Sequence, residues 1–259
     1  MSSTTETNKA TKQVTVRGHN LNLIRYDIRD FSPYLKYGEL DTNSVGSRSV
    51  GLSLNEGSPL YYMTPLLYCP FDLSVMTNPA TGDRPASKSY RVTTSLTGYN
   101  DPNHDNHHKA VEYFDMISAL DNDVKRKAID NSLPWLKQKN TGKPDFNEVI
   151  DALFNPTFKL SVDKETQEPD GKYPPSQTFA ILYYDDKFET EAYDQDGNPV
   201  NITEALVKGC RIKGLVMAQK VTFPQGKFGV RHVLLRLKIW SPNGHSGKTI
   251  VVDDSDDEE

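Results

Sequence analysis

The stretch KGCRIKGLVMAQKVTFPQGKFGVRHVLLRLKIW, Lys208–Trp240, decides how this chain is read. In its second half Val233, Leu235, Leu237 and Ile239 alternate with Leu234, Arg236, Lys238 and Trp240. A period of two predicts a strand with one buried face and another that presents Arg236, Lys238 and Trp240 in a row. The first half, CRIKGLVMAQKVTF, predicts a partner strand that carries Arg211, Lys213 and Lys220, with Gly214 as the expected bulge. Pro224-Gln225-Gly226 supplies a turn flanked by Phe223, Lys227 and Phe228, so the two strands are expected to form a hairpin.

Charge sets the same stretch apart. From Ala205 to Val252 there are nine Lys or Arg and no Asp or Glu, whereas the whole chain has 30 basic and 35 acidic residues and a net charge of -5. The last seven residues, DDSDDEE, hold six acids. An acidic protein therefore carries one concentrated basic element followed by an acidic tail. Cations interleaved with aromatics on a sheet surface suit single-stranded nucleic acid, because Lys and Arg track phosphates while rings stack on bases of any sequence. The competing reading is a solvated sheet face with ordinary core aromatics.

At 259 residues the chain can bury a substantial core, although only 36% of its residues are apolar, so long polar loops are expected. No apolar run approaches the ~18 residues of a membrane span. The N-terminus is polar and has no signal-peptide pattern. The two cysteines, Cys69 and Cys210, sit in apolar or strand-like contexts and are expected to be packed and reduced, a disulfide being the alternative but not needed at this size. The expectation is a soluble protein of the cytosol or nucleus.

Residues 1–13 are small and polar and are expected to form a disordered tail. Residues 14–252 are expected to form one α+β domain. Short strands are predicted at LNLIRYDI, SRSVGLSL, LYYMTPLLYCPFDLSV and SYRVTTSL, punctuated by Gly, Pro, Asn and Ser. A helical insertion follows over about 107–154. Val111, Phe114, Ile117, Leu120 and Val124 mark its first helix, which ends near Pro134; Phe146, Val149, Ile150 and Leu153 mark a second, with Pro144 in its first turn. FKLSV, QTFAILYY and KFETEAY return to strands before the basic hairpin at about 208–240. Residues 253–259 form the acidic tail. Two strand groups around a helical insertion predict an α+β fold with a barrel or sandwich.

Three motifs look chemical without completing a site. PNGHSGKT, from Pro242, approaches a phosphate-binding loop but has proline where glycine is needed, and too few residues follow for a helix. His104, His107 and His108 lack the further ligands that a closed zinc site requires. DQDGN, from Asp194, departs from the calcium-loop pattern and reads as a turn. No catalytic residue, metal site or cofactor is expected.

Four blocks carry a resemblance. They are LYYMTPLLYCPFDLSV, FDMISALDNDVKRKAIDNSLPWL, KYPPSQTFAILYYDDKFETEAYDQDGNPV and the basic stretch itself. In their order and wording the chain, over about residues 58–240, resembles the single-stranded DNA-binding proteins of the large nucleocytoplasmic DNA viruses. The resemblance implies an OB-fold-like antiparallel β-barrel with a helical insertion and additional flanking strands. It further implies a non-enzymatic role, protecting single strands during viral DNA replication, recombination or repair in the host cytoplasm or nucleus. DDSDDEE is similar in charge and position to the acidic C-termini of other single-strand binders, which compete with DNA and recruit replication proteins. It differs in lacking a terminal aromatic.

Lys208, Lys213, Lys220, Lys227, Arg231, Arg236 and Lys238 are thus the expected phosphate contacts. Phe223, Phe228, Trp240 and Tyr90 are the expected stacking residues, of which Phe223 and Phe228 are also the foremost candidates for the core, and Arg91 stands beside Tyr90 at a strand start. The expected partners are single-stranded DNA or RNA, replication proteins and other copies of the chain, with no membrane. Two other classes fit the same pattern: a scaffold whose basic face meets an acidic protein, and a metal-dependent nuclease using the histidines or scattered carboxylates.

Overall fold

A computed structural model describes residues 11–16, 19–44, 46–55, 57–79, 86–139 and 145–242. Eight strands precede the helices: β1 (Thr11–Val16), β2 (His19–Ile24), β3 (Leu35–Thr42), β4 (Arg48–Leu54), β5 (Leu60–Met63), β6 (Leu67–Tyr68), β7 (Ser74–Asn78) and β8 (Ser87–Ser95). The helices α1 (His107–Asp130), α2 (Ser132–Leu136) and α3 (Asp145–Leu153) follow. Then come β9 (Phe158–Lys159), β10 (Ser176–Ile181), β11 (Tyr183–Tyr184), β12 (Lys187–Phe188), β13 (Glu191–Tyr193) and the short helix α4 (Ile202–Ala205). The chain closes on β14 (Arg211–Thr222) and β15 (Gly229–Trp240). It is a mixed α and β protein dominated by strands.

β14 is the central strand. One edge pairs with β15 along its whole length; the other pairs in turn with β6, β5 and β4. β15 offers its second edge to β10 and β13, both parallel to it. Since β10 pairs with β8 and β8 with β6, the pairings return to β14 and close a ring of five strands. The ring has two narrow seams: β6–β8 rests on the one pair Tyr68↔Ser95, and β10–β15 on two pairs. The expected all-antiparallel sheet is corrected here, because β2–β5, β10–β15 and β13–β15 are parallel. In each, intervening elements carry the chain back, as parallel pairing requires.

β1 begins at Thr11, so the last three residues of the expected N-terminal tail are strand; residues 1–10 lie outside the described residues. So do Pro144, the phosphate-loop look-alike from residue 243 onward and the acidic tail. β3, LKYGELDT, escaped the sequence reading because most of its side chains are exposed and it shows no apolar alternation.

The insertion packs on the inner face of the sheet through a stripe rotated from the expected one. α1 buries Ala110, Tyr113, Ile117, Leu120, Val124 and Ala128, while Val111 and Phe114 are only half-buried. Asn131 interrupts the helix, with both its backbone N–H and its Nδ2 donating to Lys127 O. Pro134 then sits in the first turn of α2, where it is tolerated. On α3, Phe146 and Ile150 are buried, but Val149 is exposed. Cys69 and Cys210 are both buried and free, joined by the 2.9 Å backbone bond from Cys69 N to Cys210 O. No helix among the described residues is long and apolar enough to cross a membrane.

A chain of polar groups runs through the core. Thr157 Oγ1 donates to Asp121 Oδ1 at 2.8 Å, so it accepts from His232 Nε2 at 2.9 Å. His232 Nδ1 is then left to accept from the Tyr62 hydroxyl at 2.8 Å. Tyr62 in turn accepts from Gln177 Nε2, and Gln177 Oε1 accepts from Tyr113 at 2.6 Å. Every donor along the line from Gln177 to Asp121 points the same way, and the carboxylate ends it. No buried side-chain nitrogen or oxygen among the described residues lacks a partner.

Burial pushes His232 down to about 3 and Asp121 up to about 7, the latter against two hydrogen bonds from Thr157. These act in opposite directions on stability. Below the ordinary histidine value of 6.5 the unfolded chain binds a proton that the folded chain refuses, so stability falls on acidification toward about 3. Between the ordinary aspartate value of 3.8 and about 7 the folded chain holds a proton that the unfolded chain has lost, so stability falls as pH rises. Asp121→Asn removes the second effect and keeps the first. Chemical denaturation at several pH values should then show the variant losing stability on acidification from pH ~6 to ~4.5 more steeply than wild type, by about 1 kcal/mol per pH unit.

Candidate nucleic-acid interface

Side chains alternate along a strand, so Arg231 and Arg236 should face opposite sides of β15, as should Lys213 and Lys220 on β14. They do not, because the ladder contains two bulges. Leu215 lies opposite Arg236 and Val216 opposite Leu234, leaving Leu235 as the extra residue of β15. Ala218 lies opposite His232 and Lys220 opposite Arg231, leaving Gln219 as the extra residue of β14. Each extra residue reverses the alternation of its own strand. Arg211, Lys213 and Lys220 therefore share one face with Arg231, Arg236, Lys238 and Trp240.

Gly214 is not a bulge, contrary to expectation. Its N–H donates to Thr64 Oγ1 at 2.9 Å, and a Cβ there would fall on Leu234 Cδ2. Glycine is needed for close packing in the core, not for a change of face.

The cations form two groups. Arg211, Lys213, Arg236 and Lys238 lie with Trp240 at one end of the hairpin, and Lys220 with Arg231 toward the other. Between them runs an apolar belt of buried Leu215 and Val233 and half-buried Met217 and Leu235, with Leu215 and Val233 lying outside the main core. Neighbouring strands extend the face. Tyr61 stands opposite Met217, and Tyr68 opposite Arg211. Tyr193 is in register with Lys238, and Arg91 reaches the face through Ala180 and Val233. Lys238 Nζ lies 5.6 Å from the centroid of the half-buried Trp240 ring.

Two features of the charge pattern matter. Lys213 is directly opposite Lys238, and Lys220 directly opposite Arg231. Like charges in facing positions destabilise a sheet, by roughly 0.2–1 kcal/mol a pair. Among the described residues, none of these four has a carboxylate within ion-pair distance; Arg236 alone on this face has one, Glu191 at 2.9 Å. The hairpin thus carries positive charge that the described residues leave unneutralised.

Other expected site residues lie elsewhere. Phe228 is fully buried, its ring 5.1 Å from Phe154, and cannot stack on a base. Tyr90 points to the core side of β8, where Tyr183 and Phe188 pack on it at 4.7 and 4.8 Å; alternation sends its neighbour Arg91 out and Tyr90 in. Phe223 is half-buried and already engaged, with Trp135 at 5.8 Å and the Arg48 guanidinium 5.2 Å above it. Lys227 is exposed in the turn beside it. Lys208 is exposed just before β14, and its backbone N–H donates to Asp72 Oδ1. Tyr61, Tyr68 and Tyr193 were missed. Their own alternation was visible in the sequence, but their place on this face follows only from the register.

The histidine cluster serves its loop. His104 Nδ1 accepts from Asn106 N at 3.0 Å, and His107 Nδ1 is 2.8 Å from Gly98 O. Among the described residues, no group of three or more His, Cys, Asp or Glu is placed to hold a metal ion. The DQDGN segment is a turn, in which Asp194 Oδ1 accepts from the backbone of Asp196 and Asn198.

No family model matches the chain, and no curated protein does. Among solved structures it is similar to the single-stranded DNA-binding protein from bacteriophage Enc34, a C-terminal truncation. That match has 11% identity and a TM-score of 0.37, covering 80% of this chain and 95% of that one. It is also similar to gp2.5, a single-stranded DNA binding protein encoded by bacteriophage T7, at 13% identity and a TM-score of 0.37, covering 78% and 96%. Both superpositions fall below the level at which a shared fold follows.

The facing cations make an unusual stability prediction. Lys213→Glu and Lys220→Glu each replace a repulsive cross-strand pair with an attractive one. Urea unfolding at low ionic strength should show each variant more stable than wild type by roughly 0.2–1 kcal/mol, the gain shrinking as salt is added. Phe228→Ala, in the core, should instead lose about 3–5 kcal/mol.

Proposed function

We propose that this protein binds single-stranded nucleic acid along the outer face of the β14–β15 hairpin, with little sequence preference and without a chemical step. One observation carries the reading: two facing pairs of cations, Lys213 with Lys238 and Lys220 with Arg231, kept together without carboxylate partners among the described residues. A fold alone gains nothing from such pairs. A bound polyanion would neutralise both and release its counterions. The half-buried Met217 and Leu235 give unpaired bases an apolar contact, and the rings of Tyr61, Trp240 and Tyr193 offer them surfaces on which to stack, each ring worth ~1–3 kcal/mol if fully used. A stacked duplex hides its bases from such surfaces.

In this reading the ring of five strands is an OB-fold-like barrel, partly open at its two seams. The viral resemblance of the sequence makes DNA the favoured strand, and protection of single strands during replication, recombination or repair the favoured role, in the host cytoplasm or nucleus. The acidic tail would compete with DNA for the cationic face and offer replication proteins a contact.

The test is fluorescence anisotropy of labelled oligo-dT, with duplex of equal length as competitor. It would use the full chain, a chain ending at Val252, and the double variant Lys213→Glu/Lys220→Glu. Wild type should bind the single strand in preference to duplex, with log K falling by ~0.7 per phosphate contact against log salt. The chain ending at Val252 should bind more tightly. The double variant should stay folded and lose at least tenfold in affinity with a shallower salt slope. Full binding by a folded double variant would remove this face from the site. Absence of binding at low salt would leave an acidic protein surface as the face's partner, and cleavage that requires Mg²⁺ or Mn²⁺ would replace binding with catalysis.

A further inference from the structure

Glu191 interrupts the cationic face. It lies on β13 in register with Arg236 of β15, and both side chains are about one-third exposed, at 29% and 31%. One of its oxygens, Oε2, takes three partners: Arg236 Nε at 2.9 Å, Arg236 Nη2 at 2.9 Å and the Tyr193 hydroxyl at 3.1 Å. The Arg236 guanidinium carbon also lies 5.6 Å from the centroid of the Tyr193 ring. Two donors of the fork are thus committed to a carboxylate, and the group is held beside an aromatic ring. Among the described residues, Lys213, Lys220, Arg231 and Lys238 have no carboxylate partner, although Lys238 also lies beside a ring, that of Trp240.

This arrangement gives Arg236 a different role from its neighbours. A phosphate that took the Nε–Nη2 edge of the fork would have to break both donations to Glu191 and stand beside that carboxylate, which is costly, and at the Nη1 edge it would meet a charge that Glu191 already offsets. A planar guanidinium fixed beside a tyrosine, by contrast, presents a surface on which a base can stack. We infer that Glu191 withholds Arg236 from phosphate and fixes it with Tyr193 as a stacking platform for a base of the bound strand, an inference that rests on the proposed single-strand binding by this face. Glu191 is a positioning residue in this scheme. It lowers the number of phosphates the face engages and gives that position to base contact.

The discriminating quantity is the salt slope, because it counts phosphate contacts and a merely structural role would not raise it. Labelled oligo-dT would be titrated at several salt concentrations with the full-length wild type, Glu191→Gln and Arg236→Met, each checked for folding by thermal unfolding. Glu191→Gln frees the fork: its slope should steepen by about 0.7, one added phosphate contact on a single strand, with several-fold tighter binding at low salt. Arg236→Met removes the platform but no phosphate contact. Its affinity should fall by about fivefold or more while its slope stays at the wild-type value.

An unchanged or shallower slope in folded Glu191→Gln overturns the inference. So does a slope shallower by about 0.7 in Arg236→Met, which keeps the test decisive if Glu191→Gln fails to fold. Either result, with wild type still binding, removes only the role of Glu191. A wild type that does not bind removes the reading of the whole face, and this inference with it.

Discussion

The ladder between β14 and β15, with one unpaired residue on each strand, is the constraint on which the rest of the molecule depends. It forms the spine of the sheet: β4, β5 and β6 attach along one side of it, β10 and β13 along the other. It also decides what each surface carries. Were Leu235 and Gln219 absent as extra residues, regular alternation would divide the basic residues between core and solvent. Buried cations without partners would be intolerable, so the bulges are as necessary to the fold as to the charged face.

The two sides of this hairpin obey opposite rules. On the inner side no buried side-chain nitrogen or oxygen among the described residues lacks a partner, and the donors from Gln177 to Asp121 are aligned in one direction. On the outer side like charges face each other with nothing among the described residues to relieve them. A fold that satisfies its interior so completely has no need of repulsive pairs on its surface. Such local conflict is expected where a protein meets something else. Among the described residues, Glu191 marks the one place where a cation of this outer face has a carboxylate partner, and there the cation is held still.

Much of the hairpin was legible in the sequence, because alternation from Leu237 to Trp240 and the turn at Pro224-Gln225-Gly226 are local signals. Helix positions were legible for the same reason. What could not be read is anything that depends on register. Gly214 looks like a bulge locally, yet the extra residues are Leu235 and Gln219, which have no turn chemistry to betray them. Phe228 fitted both a stacking and a core role, and the structure gives it the core; Tyr90 was read as a stacking residue, and its place in the sheet shows that it turns inward. Tyr61 and Tyr193 belong to strands far from the hairpin in sequence, and their position beside it exists only in three dimensions. β3 was invisible because its exposed side chains leave no periodic trace.

The polar chain through the core has a consequence for how the molecule recognises its own correct assembly. His232 must meet Tyr62 from β5 and Thr157 from the segment after α3, while Asp121 on α1 waits at the far end. Hydrophobic side chains tolerate small displacements, since one leucine can substitute for the contact of another. A line of directed donors does not. Slipping β15 by a single residue would bring Val233 or Arg231 to the position of the imidazole and strand a tyrosine, a threonine and a carboxylate together in the interior. The chain therefore behaves as a checksum on strand alignment, one that sums contributions from sheet and helices and closes only when both are in place.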